Sequence, residues 1–155
     1  MGESLIIRGA GESDIETIRV LLANYAGKQL LLPRTAADIR GHLSDFFIAE
    51  KDSRFVGCVA LRDFGNNLYE VRSLAVFPAE EGHGIGSALI NHAVDSLRGR
   101  GPMRVFALTY RTSFFLRLGF DLVVKDLFPE KIWSDCSICA KKDCCDEDAV
   151  LLEIE

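Results

Sequence analysis

Leu74-Ala75-Val76-Phe77-Pro78-Ala79-Glu80-Glu81-Gly82-His83-Gly84-Ile85-Gly86-Ser87 passes from an apolar stretch into the start of a helix, with three glycines at alternate positions between the two. Glycine tolerates backbone conformations that bring a chain close to a ligand, and a helix N-terminus presents free N–H groups at the positive end of its dipole. Together they make a cradle for a diphosphate. Two familiar cradles are excluded. A Walker loop needs Lys followed by Ser or Thr after its last glycine, and the dinucleotide fingerprint needs its third glycine where Ser87 stands. A glycine turn that only starts a helix is the alternative for this loop taken alone.

Working outward, Ile85, Ala88, Leu89, Ala93 and Leu97 follow the helical period and end at Arg98-Gly99, a cationic last turn with a glycine after it. Upstream, Phe46 to Glu50, Arg54 to Leu61 and Leu68 to Val76 are β-rich runs parted by Lys51-Asp52-Ser53 and Gly65-Asn66-Asn67. These read as an antiparallel meander. Leu5 to Arg8 is a short strand broken by Gly9-Ala10-Gly11. Ser13-x-x-Glu16 reads as a capping box ahead of Ile15, Ile18, Leu21 and Leu22 at helical spacing. A weaker helix begins near Thr35 and carries Ile39 and Leu43 on one side.

Past the central helix, Arg104 to Thr109 is a strand, Thr112 to Leu118 a short helix stopped by Gly119, and Phe120 to Val124 a strand. Asp126 to Asp148 is irregular and Cys-rich, and Ala149 to Ile154 is a strand able to close the sheet. The order β-α-α-β-β-β-α-β-α-β predicts one mixed α/β layered domain over residues 1–155.

The 155 residues are 48% apolar and 26% charged, with 18 Lys+Arg against 23 Asp+Glu and a net charge of −5. That composition describes a protein with a real core. Phosphate backbones are bound by clustered Lys and Arg, so the spread acid excess argues against nucleic acid as a partner. No apolar run approaches the roughly 18 residues of a membrane span, and Met1 to Ala10 has neither a basic segment nor a long apolar one. The expectation is a cytoplasmic protein with a small-molecule partner. Of five cysteines, Cys58 stands alone, while Cys136-x-x-Cys139 and the vicinal Cys144-Cys145 crowd the C-terminal end. Neighbouring cysteines rarely serve one ion together, so a reduced packing cluster is expected rather than a metal site. His42 and His92 have no companion ligand and read as surface residues.

Val76 to Leu89 resembles the acyl-CoA motif of the GNAT superfamily of N-acetyltransferases, Gln/Arg-x-x-Gly-x-Gly/Ala, with Glu81 where the family has Gln or Arg. Arg117-Leu118-Gly119-Phe120 is similar to that family's second signature. Glu70 to Val76, Ala107 to Phe120 and Leu127 to Cys136 together resemble the short bacterial N-acetylglutamate synthases. The resemblance implies a GNAT fold, a mixed and mostly antiparallel sheet flanked by helices. It implies acetyl-CoA as co-substrate and no metal. Glu81, Gly82, His83, Gly84, Ile85, Gly86 and Ser87 would hold the diphosphate. Leu74, Ala75 and Val76 would line the acyl arm, with the Leu74 and Val76 N–H groups on the acetyl carbonyl and pantetheine. The implied activity is N-acetylation of an amino acid α-amine, glutamate above others, as an early step of arginine biosynthesis.

Direct acyl transfer from a thioester needs a neutral amine, a polarised carbonyl and a proton for the departing thiolate. Glu70, on the strand leading to the loop, is the candidate base and matches the strand carboxylate of many GNAT enzymes; a solvated strand glutamate is the alternative. Phe115 stands where the family's usual acid is Tyr. Tyr110 is the substitute candidate, with solvent as the other proton source. A glutamate-like acceptor carries two carboxylates and calls for fixed cations, for which Arg34, Arg72 and Lys131 are the candidates. Another small amine as acceptor, or a CoA-binding, thiol-sensing module without turnover, are the competing functions. The oligomeric state is left between monomer and homodimer.

Overall fold

Period-two and period-3.6 apolar patterns become strands and helices in the computed structural model, which describes residues 5–27, 35–124 and 148–155. The strands are β1 (Leu5–Gly9), β2 (Phe46–Lys51), β3 (Arg54–Asp63), β4 (Leu68–Val76), β5 (Met103–Thr109), β6 (Asp121–Val123) and β7 (Asp148–Ile154). The helices are α1 (Ile15–Gly27), α2 (Ala36–Gly41), α3 (Ile85–Asp95) and α4 (Thr112–Arg117). They build one mixed sheet in the order β1-β2-β3-β4-β5-β7-β6. β7 therefore lies inside the sheet rather than at its edge. Ala149, Val150 and Leu151 are all buried, as expected of a strand covered on both faces. No helix among the described residues is long and apolar enough to cross a membrane.

Two helix ends differ from the sequence reading. A 3-10 turn over Glu12–Asp14 precedes α1, and the reciprocal cap is made by Gly11 and Asp14: the Gly11 N–H donates to Asp14 Oδ2 at 2.8 Å, and the Asp14 N–H to the Gly11 carbonyl at 2.9 Å. Ser13 and Glu16 do not form the box; Glu16 instead pairs with Arg19 one turn on. α3 stops at Asp95, and the bonds from Leu97 to Val94 and from Arg98 to Asp95 tighten the chain before Gly99 at φ 86°. Thr35 does cap α2, its Oγ1 accepting the Asp38 N–H at 3.0 Å.

The residues group into two compact units. The first comprises Met1–Arg62 and Val71–Arg98. In it β1 and β2 run antiparallel from Leu5↔Lys51 to Gly9↔Phe47, and β2 and β3 run antiparallel with a register shift at Ala49/Glu50. Ile18, Leu22, Ile39, Phe46, Ile48 and Cys58 form its fully buried core. α3 packs on β1 and β2. Gly57 on β3 makes close packing there possible: a Cβ at this position would meet the Ala75 carbonyl at 2.9 Å and Leu89 Cδ1 at 3.3 Å.

The second unit comprises Asp63–Glu70 and Gly99–Glu155. The first residues of β4 run parallel to β5, Leu68↔Arg104 to Glu70↔Phe106. β5 and β7 pair antiparallel along their whole length, and β6 pairs with β7 on the far side. Leu68, Phe106, Ala149 and Leu151 form the core, with Phe64 tilted against Phe106 at a ring distance of 5.9 Å. α4 packs on β6 and β7.

Candidate active site

In the first unit the chain leaves β4 through Phe77, whose N–H donates to the Val56 carbonyl at 3.0 Å, and makes a 3-10 turn over Pro78–Glu80. Gly82 and Gly84 follow with φ of 84° and 77°, conformations that cost a side-chain-bearing residue energy. Gly84 is the N-cap of α3 and lends no side chain to its first amides. The first helical bond runs from the Ala88 N–H to the Gly84 carbonyl, so the Ile85, Gly86 and Ser87 N–H groups have no acceptor within the helix. Nothing lies within 4 Å of where a Cβ would stand on Gly82 or Gly84. The loop thus offers three amides without an acceptor in the helix and open space at Gly82 and Gly84, which fits a diphosphate. Glu81 is exposed at its edge.

β4 itself is irregular where the acyl arm is expected. Ser73 sits at φ 55° inside the strand and is buried to 9% exposure. The alternation of faces slips at Glu70 and Val71, both buried, and then runs regularly through Ser73, with Val71, Ser73 and Ala75 buried and Arg72 and Leu74 half-buried. The Cys58 thiol donates to the Ser73 carbonyl at 3.5 Å, tying the irregular position to β3. Leu74 is half-buried next to it, and Ala75 and Val76 are buried. Arg72 is half-buried on the same strand. Ser73 escaped the sequence reading because serine is not a left-handed signal.

In the second unit Glu70 is buried to 2% exposure on β4, opposite Phe106 in the β5 register. Phe115 is core, 4% exposed, with rings edge-on to Phe114 at 5.3 Å and Phe120 at 5.2 Å. It can carry no proton. Tyr110 is 37% exposed at the end of β5. Around it Thr109 Oγ1 accepts the Arg111 N–H at 2.7 Å, and Thr112 Oγ1 donates to Asp148 Oδ2 at 2.5 Å. Arg34, Lys131 and the cysteines from Cys136 to Cys145 lie outside the described residues. Among the described residues no group of His, Cys, Asp and Glu is placed to hold a metal ion.

The model of the acetyltransferase (GNAT) family matches residues 15–120, two-thirds of the chain and all of the loop, β4 and α4. The chain belongs to the GNAT acetyltransferase family. It is therefore an acyltransferase. Its relatives include an uncharacterized N-acetyltransferase of Chlorobaculum tepidum, 37% identical over 94% of each chain. An amino-acid acetyltransferase of Mycobacterium tuberculosis is 38% identical over 74% of this chain and 67% of that one. Among solved structures, N-acetylglutamate synthase from Neisseria gonorrhoeae, complexed with coenzyme A and N-acetyl-glutamate, matches all of this chain with a TM-score of 0.86 and 29% identity. This GNAT chain spans 36% of that enzyme's length.

Proposed function

We propose that the chain works as a single N-acetyltransferase domain that moves the acetyl group of acetyl-CoA to the α-amine of an amino acid, L-glutamate first. The observation that carries this reading is the likeness, over the whole chain, to the synthase solved with coenzyme A and N-acetyl-glutamate. The glycine loop and α3 amides hold the diphosphate, and the Leu74 and Val76 N–H groups hold the acetyl carbonyl and the pantetheine arm. The amine nitrogen attacks the thioester carbon directly. A C–N bond forms, the C–S bond breaks, and no covalent enzyme intermediate arises. Glu70 takes the amine proton, and Tyr110 or solvent returns one to the thiolate. Arg34, Arg72 and Lys131 are assigned to the acceptor's two carboxylates, where charge-assisted contacts are worth about 1.5–3 kcal/mol each.

The test is thiol release from acetyl-CoA with a panel of glutamate, glutamine, aspartate, ornithine and simple amines. Glutamate should give the highest kcat/KM. Faster turnover of an amine without a second carboxylate would move the acceptor assignment, and CoA binding without turnover of any amine would favour a CoA-binding module. An early place in arginine biosynthesis follows from the glutamate result.

A further inference from the structure

In the second unit, Tyr110 stands on a turn that a single residue of β7 meets at both ends. The parallel pairing of β4 with β5 runs from Leu68↔Arg104 to Glu70↔Phe106, and β5 continues from there to Thr109. Along that continuation β7 pairs with it through Ala107↔Val150 and Leu108↔Ala149, and the last pair is Thr109↔Asp148. The turn begins here. Thr109 is buried, and its Oγ1 accepts the Arg111 N–H at 2.7 Å, a local bond that curls the chain around Tyr110. The Arg111 carbonyl accepts the Phe114 N–H at 3.1 Å and so opens α4. Thr112, the first residue of that helix, reaches back: its Oγ1 donates to Asp148 Oδ2 at 2.5 Å. A hydroxyl-to-carboxylate bond of about 2.5–2.7 Å is in the charge-assisted range. Asp148 thus holds Thr109 through the sheet register and Thr112 through its side chain, and between those two lie Tyr110 and Arg111. With 37% of its surface exposed, Tyr110 takes its placement largely from the backbone that carries it.

We propose that Asp148 is a positioning residue: through Thr112 it fixes the β5–α4 turn so that the Tyr110 hydroxyl can protonate the departing thiolate. The inference rests on the reading of Tyr110 as the proton donor. In that step the thioester C–S bond breaks, the sulfur takes the Tyr110 proton, and the phenolate recovers one from water. A proton donor works only within hydrogen-bond reach of its acceptor, and a misplacement of about 1 Å can cost on the order of 10²-fold in rate. The body of α4 is set by its packing on β6 and β7. Its first residue, and with it the path of the turn, is set by Asp148.

The experiment is a mutant cycle on kcat, run with whichever amine the wild type turns over fastest, so that a wrong acceptor assignment leaves it intact. Tyr110→Phe should lower kcat by about 10²-fold. Asp148→Ala and Thr112→Val each break the clasp and should lower kcat by about tenfold, with KM for acetyl-CoA unchanged. Thr112→Ser keeps the hydroxyl and should keep the rate. The deciding arm joins each clasp variant to Tyr110→Phe. Once the phenol hydroxyl is gone its placement no longer matters, so the double variants should be no slower than Tyr110→Phe alone. A general weakening of the unit would instead multiply the two losses, and multiplied losses would overturn the proposal. So would wild-type kcat in both Asp148→Ala and Thr112→Val beside a slow Tyr110→Phe, a result that leaves the Tyr110 reading standing. Wild-type kcat in Tyr110→Phe would remove Tyr110 from the reaction and take the positioning role with it.

Discussion

A carboxylate buried in a strand costs free energy unless its surroundings compensate its charge, and Glu70 is 98% removed from solvent on the strand that feeds the glycine loop. If Glu70 takes the amine proton, Glu70→Gln should lower kcat by about 10²–10⁴-fold near neutral pH and by less at high pH, where free amine is abundant. KM for acetyl-CoA should hardly move. A thiol-release pH profile checks this, and a near-wild-type rate at all pH values would remove Glu70 from the reaction. Three residues on, Ser73 at φ 55° holds a conformation that costs a non-glycine residue about 1–3 kcal/mol. Ser73→Gly should leave the urea midpoint equal or higher, whereas the β-branched Ser73→Val should lose stability on that scale and reduce kcat by displacing the Leu74 N–H. The reverse order of midpoints would show that the strand carries no such strain.

The start of α1 joins elements that sequence patterns treat separately. Arg8 on β1 donates to both oxygens of Asp14, at 2.9 and 3.1 Å, and also pairs with Glu50 on β2. Burial by itself raises the Asp14 pKa, but the hydrogen bonds from Arg8 and the Gly11 N–H outweigh it and hold the carboxyl below the ordinary aspartate value of 3.8. A carboxyl depressed in the folded state stabilises the fold above its unfolded pKa and loses that contribution as pH falls through the folded value. Asp14→Asn should therefore cost about 1–3 kcal/mol at pH 7, and the gap between variant and wild type should narrow below pH 4. Urea unfolding at pH 7 and pH 3 measures it; a gap unchanged between the two would detach Asp14 from the acid response. The same contact explains why the cap was misplaced by sequence. Ser13-x-x-Glu16 and Gly11 to Asp14 compete two residues apart, and the winner is fixed by Arg8, a tertiary partner that no local spacing reveals. α3 was legible because Ile85, Leu89 and Ala93 bury one face at the helical period, and β2 to β4 because their turns carry Asp52, Ser53, Asn66 and Asn67, all at positive φ. The contact of Lys51 Nζ with Glu80 Oε2 at 3.3 Å was not, since 29 residues of chain separate the two.

At the scale of the molecule, β4 is the element both units share: Leu68 to Glu70 belong to the second and Val71 to Val76 to the first. The candidate base and the acyl-arm amides therefore lie on one strand but in different units, Glu70 opposite Phe106 in the β5 register and Ala75 in the core that contains Cys58. The single-domain proposal requires the two cores to melt together. Far-UV circular dichroism follows all helices and strands, while amide hydrogen exchange at Val105, Phe106 and Val150, buried on β5 and β7, reports from the second unit alone. In urea the two signals should give one coincident transition. CoA at about 100 times its Kd should then raise the unfolding free energy seen by both probes equally, by about 2.7 kcal/mol, because a ligand held by the native state alone stabilises whatever unfolds with its site. Two separated midpoints, with CoA moving only the circular dichroism transition, would mean that the loop-bearing unit melts alone and that the chain is two domains joined by a strand.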